Sequence, residues 1–179
     1  MLHELIRELV ECYGPSGNEE RVRSAIREHV QGLVDGVRTD VLGNLICMRR
    51  PTAPGNGLKI MLSAHMDEIG FVVTHIDDDG FIRFDLVGGN SPFRLLGQRV
   101  AFADGTVGVI GTEKIDEIKD LKLEKLFIDI GMPGEQARSL ISIGDMATYH
   151  RPMETSGDRV IAKALDDRIG CAVLVEFLR

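Results

Sequence analysis

A histidine and an aspartate stand two residues apart in the stretch IMLSAHMDEIG, residues 60–70. In an extended strand alternate side chains share a face, so His65 and Asp67 are predicted to point the same way. An imidazole can bind a divalent metal ion directly, and a neighbouring carboxylate can orient the ring or bind the ion as well. From these two residues alone, a surface salt bridge explains the pair equally well.

A second candidate site lies near the end of the chain, in the stretch KALDDRIG. Asp166 and Asp167 stand at the start of a predicted helix, directly after an apolar strand. In open α/β folds, ligands bind at the carboxyl edge of the sheet, which is where these carboxylates are expected. Aspartate at a helix start also serves as a cap. One aspartate suffices for a cap, so the second needs another explanation, for which a metal site is a candidate.

The elements before these residues are predicted from apolar spacing. Residues 2–13 have the period of a helix, and a second helix follows Ser16 and Asn18, its candidate caps. Residues 37–48 alternate around a turn and predict two short strands. The run at residues 60–62 has the continuous apolar character of a strand that is covered on both faces.

The middle of the chain differs in character from its two ends. Residues 71–162 consist of short runs rich in Val, Ile and Phe, separated by Asp-Gly turns, which indicates a small barrel or sandwich. Helical periodicity returns after it and continues to Arg179. The sequence therefore predicts an α/β domain, residues 1–70 and 163–179, which is incomplete at its C-terminal end and is interrupted by a β-barrel-like insertion, residues 71–162.

Composition excludes several classes of function. The 179 residues carry a net charge of -7, which argues against a nucleic-acid partner because phosphate binding needs clustered Lys and Arg. The N-terminal helix contains three glutamates, so it lacks the apolar centre of a secretory signal, and no apolar run of about 18 residues follows. We therefore expect a cytoplasmic protein with no membrane contact. The three cysteines are far apart and indicate neither a disulfide framework nor a zinc knuckle.

Several motifs together resemble those of a known family, the cytoplasmic metallo-aminopeptidases that build TET-type particles. These relatives include glutamyl and leucyl aminopeptidases, some once named endoglucanase M or cellulase. The resemblance extends over essentially the whole chain and implies a zinc-peptidase-like three-layer α/β domain with an inserted dimerisation domain. The motifs, in chain order, are GPSGNEERV, SAHMDEIGFVV, LVGG, GVIG, LFIDIG, IGD and KALDDRIGC.

The resemblance also implies roles for individual residues. In the family two divalent metal ions, of zinc, cobalt or manganese type, activate a water molecule that attacks the peptide carbonyl. In the family, the histidine that matches His65 binds one ion, and the aspartate that matches Asp166 bridges both ions. The candidate catalytic position Asp67 lies behind the histidine and orients it. Asp167 follows through what resembles the family's cis peptide bond.

The sequence departs from the family in one respect. The family's general-base glutamate, an adjacent metal-binding glutamate, a further aspartate and a distant histidine all lie beyond the helix that follows ALDDR, and none has a counterpart here. We therefore expect this chain to be the N-terminal part of an aminopeptidase that acts on short peptides, and to be inactive alone. The resemblance further implies a homo-oligomer, which is a dodecamer in the family.

Two other functions compete with aminopeptidase activity. A glycoside hydrolase would need an acid and a base carboxylate and usually aromatic platforms for the sugar rings. The sequence has no Trp and only 5% aromatic residues, which disfavours this function. A non-catalytic assembly module, or a degenerate module of the same fold, remains the competing hypothesis.

Overall fold

The computed structural model describes residues 2–52 and 58–179. In chain order the elements are α1 Leu2–Glu11, α2 Glu20–Val30, β1 Gly36–Thr39, β2 Leu45–Met48, β3 Gly70–Ile76, β4 Ile82–Val87, α3 Pro92–Leu95, β5 Arg99–Phe102, β6 Val107–Thr112, β7 Leu126–Asp129, α4 Gly134–Leu140, β8 Met146–Tyr149, β9 Glu154–Ser156, β10 Arg159–Ile161 and α5 Leu165–Leu178. Two short 3₁₀ turns, Ile118–Asp120 and Leu123–Lys125, precede β7. Within this described part, no helix is both long enough and apolar enough to cross a membrane.

The chain divides into two compact units. The first unit runs to Asp67 and resumes at Met153, and the second is Glu68–Pro152. The sequence-based boundaries lay at residues 70 and 163, so residues 68–70 and 153–162 belong to different units in the two divisions. Hydrogen bonds explain why the first unit resumes at Met153 and not at residue 163. The backbone N–H of Met153 donates to Glu11 Oε1 at 2.8 Å, and its carbonyl accepts from Arg7 Nη1 at 2.8 Å.

Three helices build the core of the first unit. Apolar residues three and four positions apart give each helix one buried face. The buried residues are Leu5, Leu9 and Val10 of α1, Val22, Ile26 and Val30 of α2, and Cys171, Ala172 and Val175 of α5. The predicted caps of α2 were wrong. Glu19 precedes the helix without a capping side-chain bond, and Ser16 bonds elsewhere.

The predicted pair of short strands is confirmed. β1 and β2 pair antiparallel, with Gly36 opposite Met48 and Thr39 opposite Leu45. The turn between them is stabilised by Asp40, whose Oδ1 accepts the backbone N–H groups of Leu42 and Asn44. This two-stranded sheet lies in the first unit.

The predicted strand at residues 60–62 is not formed. Leu58–Leu62 lies outside every helix and strand, and Ile60 and Met61 are 74% and 90% exposed. An apolar strand is buried on both faces only when neighbouring strands and helices cover it. The part of the chain that the structure describes supplies no strand partner for this segment.

The strand before Asp166 also differs from the prediction. β10 pairs antiparallel with β9 in a two-stranded ribbon, with Arg159 opposite Ser156. It does not lie in an open parallel sheet in the described part of the chain, so the two aspartates are not at the carboxyl edge of such a sheet there. The position of the aspartates follows instead from how α5 begins.

The second unit is a closed six-stranded barrel. Its strand order is β3-β4-β7-β6-β5-β8, and all neighbouring strands are antiparallel. Alternate residues of the strands fill the interior, among them Phe71, Val73, Ile82, Val100 and Ile128. At the β3–β4 turn Gly80 has φ of +94°, and a Cβ there would overlap the carbonyl oxygen of Met132, so this turn requires glycine.

Candidate metal-binding site

His65 lies between two carboxylates of the first unit. Its Nδ1 is 2.9 Å from Asp67 Oδ1, and its Nε2 is 3.0 Å from Asp166 Oδ1. The structure therefore brings together the histidine and both aspartates that the sequence indicated, although residues 58–67 form no regular strand before Glu68. The imidazole is about half exposed and the Asp166 carboxylate is 96% exposed, so both are open to a ligand.

The two carboxylates change the proton affinity of His65. Burial lowers the pKa of His65, but hydrogen bonds to Asp166 and Asp67 raise it by more, so the pKa lies above its ordinary value. When the ring is neutral and its Nδ1–H donates to Asp67, the lone pair of Nε2 points towards Asp166. This is the tautomer that binds metals through Nε2.

Asp67 is itself held by a hydrogen bond. The hydroxyl of Ser16 donates to Asp67 Oδ2, while the other carboxylate oxygen faces the imidazole. Burial raises the pKa of Asp67, but the bonds from Ser16 and His65 lower it by more, so the net shift is downward. Asp67 is therefore an ionised group that fixes the imidazole ring. Sequence reasoning assigned Ser16 to a helix cap and missed this contact.

The start of α5 separates the roles of the two adjacent aspartates. Asp166 and Asp167 have non-helical backbone angles, and the peptide bond between them is cis. Asp167 Oδ1 accepts the backbone N–H of Gly170 at 3.1 Å, in the manner of an N-cap for the regular helix that follows. Asp167 thus caps α5, and Asp166 is left to face His65.

Arg168 is a second residue that sequence reasoning missed. Its side chain is fully buried, and its guanidinium donates to four backbone carbonyls, those of Leu9, Cys12, Gly14 and Met66. Met66 lies between His65 and Asp67, so this bond fixes the backbone of the site against α5 and the end of α1. No sequence pattern distinguishes such an arginine from one that forms an ordinary ion pair with the preceding aspartates.

Cys171 also contacts the backbone of the site. Its Sγ lies 3.3 Å from the carbonyl oxygen of His65, to which the thiol donates. Burial raises the pKa of the Cys171 thiol to about 11, so the group stays protonated. It acts as a weak donor that supports the position of His65.

The donor set fits part of a metal site. Two ligand atoms bound at about 2.1 Å to one ion lie about 3 Å apart when they are at right angles, which is the separation of His65 Nε2 and Asp166 Oδ1. Imidazole and carboxylate suit zinc, cobalt and manganese alike. Among residues 2–52 and 58–179, however, no group of three or more His, Cys, Asp and Glu side chains could hold an ion. These residues would supply only some of the ligands.

Comparisons with known proteins point in the same direction. Residues 43–179 match the family of M42 glutamyl aminopeptidases. A provisionally assigned aminopeptidase of Acetivibrio thermocellus is 46% identical over 99% of this chain and 53% of its own length. The lysyl aminopeptidase of Pyrococcus furiosus is 31% identical over 98% of this chain and 54% of its own length.

Solved structures agree on the fold. An aminopeptidase from Desulfurococcus kamchatkensis superimposes with a TM-score of 0.91 at 39% identity, over 99% of this chain and 51% of its own. An endoglucanase from Thermotoga maritima gives 0.87 at 40% identity, over 97% and 53%. The TET1 peptidase of Pyrococcus horikoshii, which can assemble into a tetrahedron or a large octahedral shell, gives 0.83 at 33% identity, over 98% and 55%.

These matches confirm the mixed α/β fold that the sequence predicted, as part of a TET-type catalytic domain that is interrupted by a β-rich unit. The chain spans about half the length of the relatives it matches. The family match covers most of the chain, and it includes His65, Asp67 and Asp166. The chain therefore belongs to the M42 glutamyl aminopeptidase family.

Proposed function

We propose that this chain carries the histidine–aspartate part of the metal centre of a cytoplasmic aminopeptidase, which removes N-terminal residues from short peptides. One observation carries the proposal. His65 Nε2 faces Asp166 at 3.0 Å while Nδ1 is held by Asp67 at 2.9 Å, so the ring presents one nitrogen to a ligand and is oriented through the other. That arrangement is typical of a metal-binding histidine with a carboxylate behind it.

Two divalent metal ions would supply Lewis-acid polarisation of the peptide carbonyl and a water molecule of lowered pKa. His65 would hold one ion through Nε2, and the exposed Asp166 carboxylate would bridge both. Asp67 keeps the proton of the imidazole on Nδ1. Ser16 keeps Asp67 in place through its hydroxyl. Ser16 thus positions Asp67, and Asp67 positions His65.

We further propose that the chain needs additional polypeptide for activity. His65 and Asp166 are too few to complete even a four-ligand site. The two carboxylates that face His65 already have the roles of orienting the ring and holding metal, so the general base is expected from elsewhere. The chain spans about half the length of its aminopeptidase relatives, so the part of them that lies beyond it is the expected source of the missing groups. The barrel unit and the assembly of the Pyrococcus horikoshii peptidase support a homo-oligomer.

Metal binding tests the site directly. We expect the chain to bind Co²⁺ only weakly, through nitrogen and oxygen ligands, because it supplies two of the expected protein ligands. His65→Ala and Asp166→Asn should each weaken the affinity at least about tenfold. His75→Ala, which removes an exposed histidine from β3, is the matched control and should leave the affinity unchanged. Equal affinity in the wild-type chain and the His65 variant would refute the proposed metal site.

Activity tests the second proposal. A panel of aminoacyl p-nitroanilides with added Co²⁺ or Zn²⁺ should show no hydrolysis by this chain alone. Co-expression with the remaining half of the Acetivibrio thermocellus relative should produce hydrolysis that His65→Ala abolishes. Hydrolysis by the chain alone would show that its site is complete. Failure of both samples, with assembly intact, would favour the non-catalytic module. Carboxymethylcellulose should not be cleaved in either case.

A further inference from the structure

The barrel unit carries a cavity that belongs to no part of the proposed metal site. It measures about 480 Å³ and opens to solvent near α3 and the end of β8. Two arginines, Arg94 and Arg151, are among its lining residues. No acidic side chain is among its lining residues, in a chain whose net charge is -7. The local charge is therefore opposite to that of the whole molecule.

Neither arginine is neutralised within the described part of the chain. No Asp or Glu oxygen there lies within 4.0 Å of Arg94 or Arg151, whereas Arg83 and Arg138 of the same unit are paired. Arg83 pairs with Glu113 at 2.8 Å, and Arg138 pairs with Asp78 at 3.1 Å. Arginine presents a planar fork of donors that matches a carboxylate, so the cavity has unused capacity for an anion.

One of the two guanidinium groups is held in place. Arg151 Nη2 donates to Gln98 Oε1, and its Cζ lies 5.5 Å from the centre of the Tyr149 ring. The ring of Tyr149 packs edge-on against buried Phe71, with ring centres 5.3 Å apart. Because the ring and the amide fix the guanidinium, little conformational entropy is lost when it binds a ligand.

Tyr149 provides a further donor. Asn90 Nδ2 donates to the hydroxyl oxygen of Tyr149, so the hydroxyl hydrogen remains available for another acceptor. Both the hydroxyl-bearing residue and the two arginines line the cavity. Two charged side chains and one hydroxyl donor therefore line the same cavity.

The same cavity has an apolar wall. Ile69, Phe93 and Leu96 line it, with exposed fractions of 42%, 58% and 46%. Apolar side chains that line a cavity beside charged donors are a common feature of ligand-binding sites. A small inorganic anion would leave this wall uncovered, and an apolar group next to the anion would cover it.

We propose that this cavity binds an organic carboxylate that carries an apolar side chain. The chemistry is that of an apolar residue with a free carboxylate, which is found both at the C-terminus of a short peptide and in a free amino acid. The carboxylate pairs with Arg94 and Arg151 and accepts from the Tyr149 hydroxyl. The apolar side chain rests on Phe93 and Leu96. This site lies wholly in the barrel unit and does not rest on the proposed metal chemistry.

N-acetylated peptides separate this site from the metal site. N-acetyl-Ala-Ala-Phe with a free carboxylate is titrated into the full chain in the presence of EDTA, and binding is followed by amide NMR shifts. The matched probe is the same peptide with a C-terminal amide in place of the carboxylate. We expect this amidated peptide to bind at least fivefold more weakly than the free acid. N-acetylphenylalanine distinguishes the two sources, since equal affinity would mean that the terminal residue alone is recognised.

Substitutions test the donors. Arg94→Gln and Arg151→Gln should each weaken binding of the free acid at least fivefold, and Tyr149→Phe should weaken it about twofold to threefold. Arg99→Gln, which removes the same charge from an exposed position of β5 outside the cavity, should bind as the wild type does. Circular dichroism confirms that each variant is folded. Equal binding of acid and amide, or unchanged binding in both arginine variants, would overturn the proposal. So would binding of inorganic phosphate in preference to the peptide acid.

Discussion

At the scale of single residues, the candidate site is defined by the two hydrogen bonds of one imidazole. His65 faces Asp67 through Nδ1 and Asp166 through Nε2, and both carboxylates raise its pKa. A metal ion and a proton compete for the same nitrogen, so metal binding weakens as the pH falls, and the raised pKa moves this loss to higher pH. The charge of Asp166 therefore favours both the proton and the ion.

Replacing Asp166 should change the titration of His65. In metal-free protein the variant Asp166→Asn loses the negative charge that stabilises the imidazolium, so we expect the pKa of His65 to fall. The sign is fixed, because removing an anion always disfavours a neighbouring cation. NMR titration of the ring protons in EDTA measures it. Asp158→Asn, at the exposed turn after β9, is the control and should leave the His65 curve in place. A rise in the pKa of His65 would contradict the geometry described.

The sequence predicted this site only in part. The spacing of His65 and Asp67, and the adjacent Asp166 and Asp167, indicated the residues of the candidate site because residue types and spacing are local features; His65, Asp67 and Asp166 lie together, whereas Asp167 bonds to Gly170. Ser16 was assigned to a cap, because a hydroxyl before a helix has the same local pattern whichever partner it finds. Its real partner lies 51 positions away and depends on how the chain folds.

At the scale of elements, the two aspartates at the start of α5 have different roles: Asp167 caps the helix and Asp166 faces His65. Ala164, at φ of 54°, turns the chain, and the regular helix begins only after Asp167. Asp167 caps that helix through Gly170, where a Cβ would lie within 2.6 Å of both carboxylate oxygens. Gly170 therefore gives the cap room. The sequence did not distinguish a helix cap from a candidate metal ligand. In the structure Asp167 is the cap, and Asp166 is the candidate ligand.

The two aspartates should differ in their effect on stability. Asp167→Ala removes the cap and should lower the free energy of unfolding by about 1 kcal/mol. Asp166→Ala is the matched control, and its change should stay within about 0.5 kcal/mol because the side chain is exposed. Urea denaturation followed by circular dichroism gives both values. Equal losses in the two variants would show that Asp167 does not cap α5.

Arg168 joins α5 to the rest of the first unit, and replacing it should lower the free energy of unfolding more than the loss of the Asp167 cap does. Arg168→Met leaves four backbone carbonyls without their buried donor, so we expect a loss of at least about 3 kcal/mol in the free energy of unfolding. Arg159→Met, at an exposed position of β10, should change it by less than about 0.5 kcal/mol. Urea denaturation compares the two. A small effect at Arg168 would mean that water replaces its bonds.

At the scale of the whole molecule, the chain is two units with separate cores. The sequence predicted an insertion because its runs of Val, Ile and Phe differ from the helical ends, and the closed barrel bears this out. The end of the insertion was harder to place. Met153 joins the first unit through hydrogen bonds to α1, which no local pattern records. Likewise, the apolar pattern at residues 60–62 indicates burial but not what would provide it.

The exposed segment Leu58–Leu62 gives a test at this scale. Ile60→Lys and Met61→Lys should leave the free energy of unfolding within about 0.5 kcal/mol of the wild type, since both side chains are exposed. They should also reduce the binding of a hydrophobic dye. Val41→Lys, at another fully exposed apolar position, is the comparison for a substitution outside the segment. A large loss of stability at Ile60 or Met61 would show that these side chains are buried in solution.

The reactivity of the Cys171 thiol can measure local opening of the backbone at the site. It is buried behind the carbonyl of His65, and its pKa of about 11 leaves almost no thiolate in the folded state. An alkylating reagent can therefore react quickly with Cys171 only during moments when α5 detaches and exposes it. The rate of alkylation, measured by mass spectrometry, would then report how often the backbone beneath the imidazole opens. Any ligand that bridges His65 and Asp166 should slow that rate.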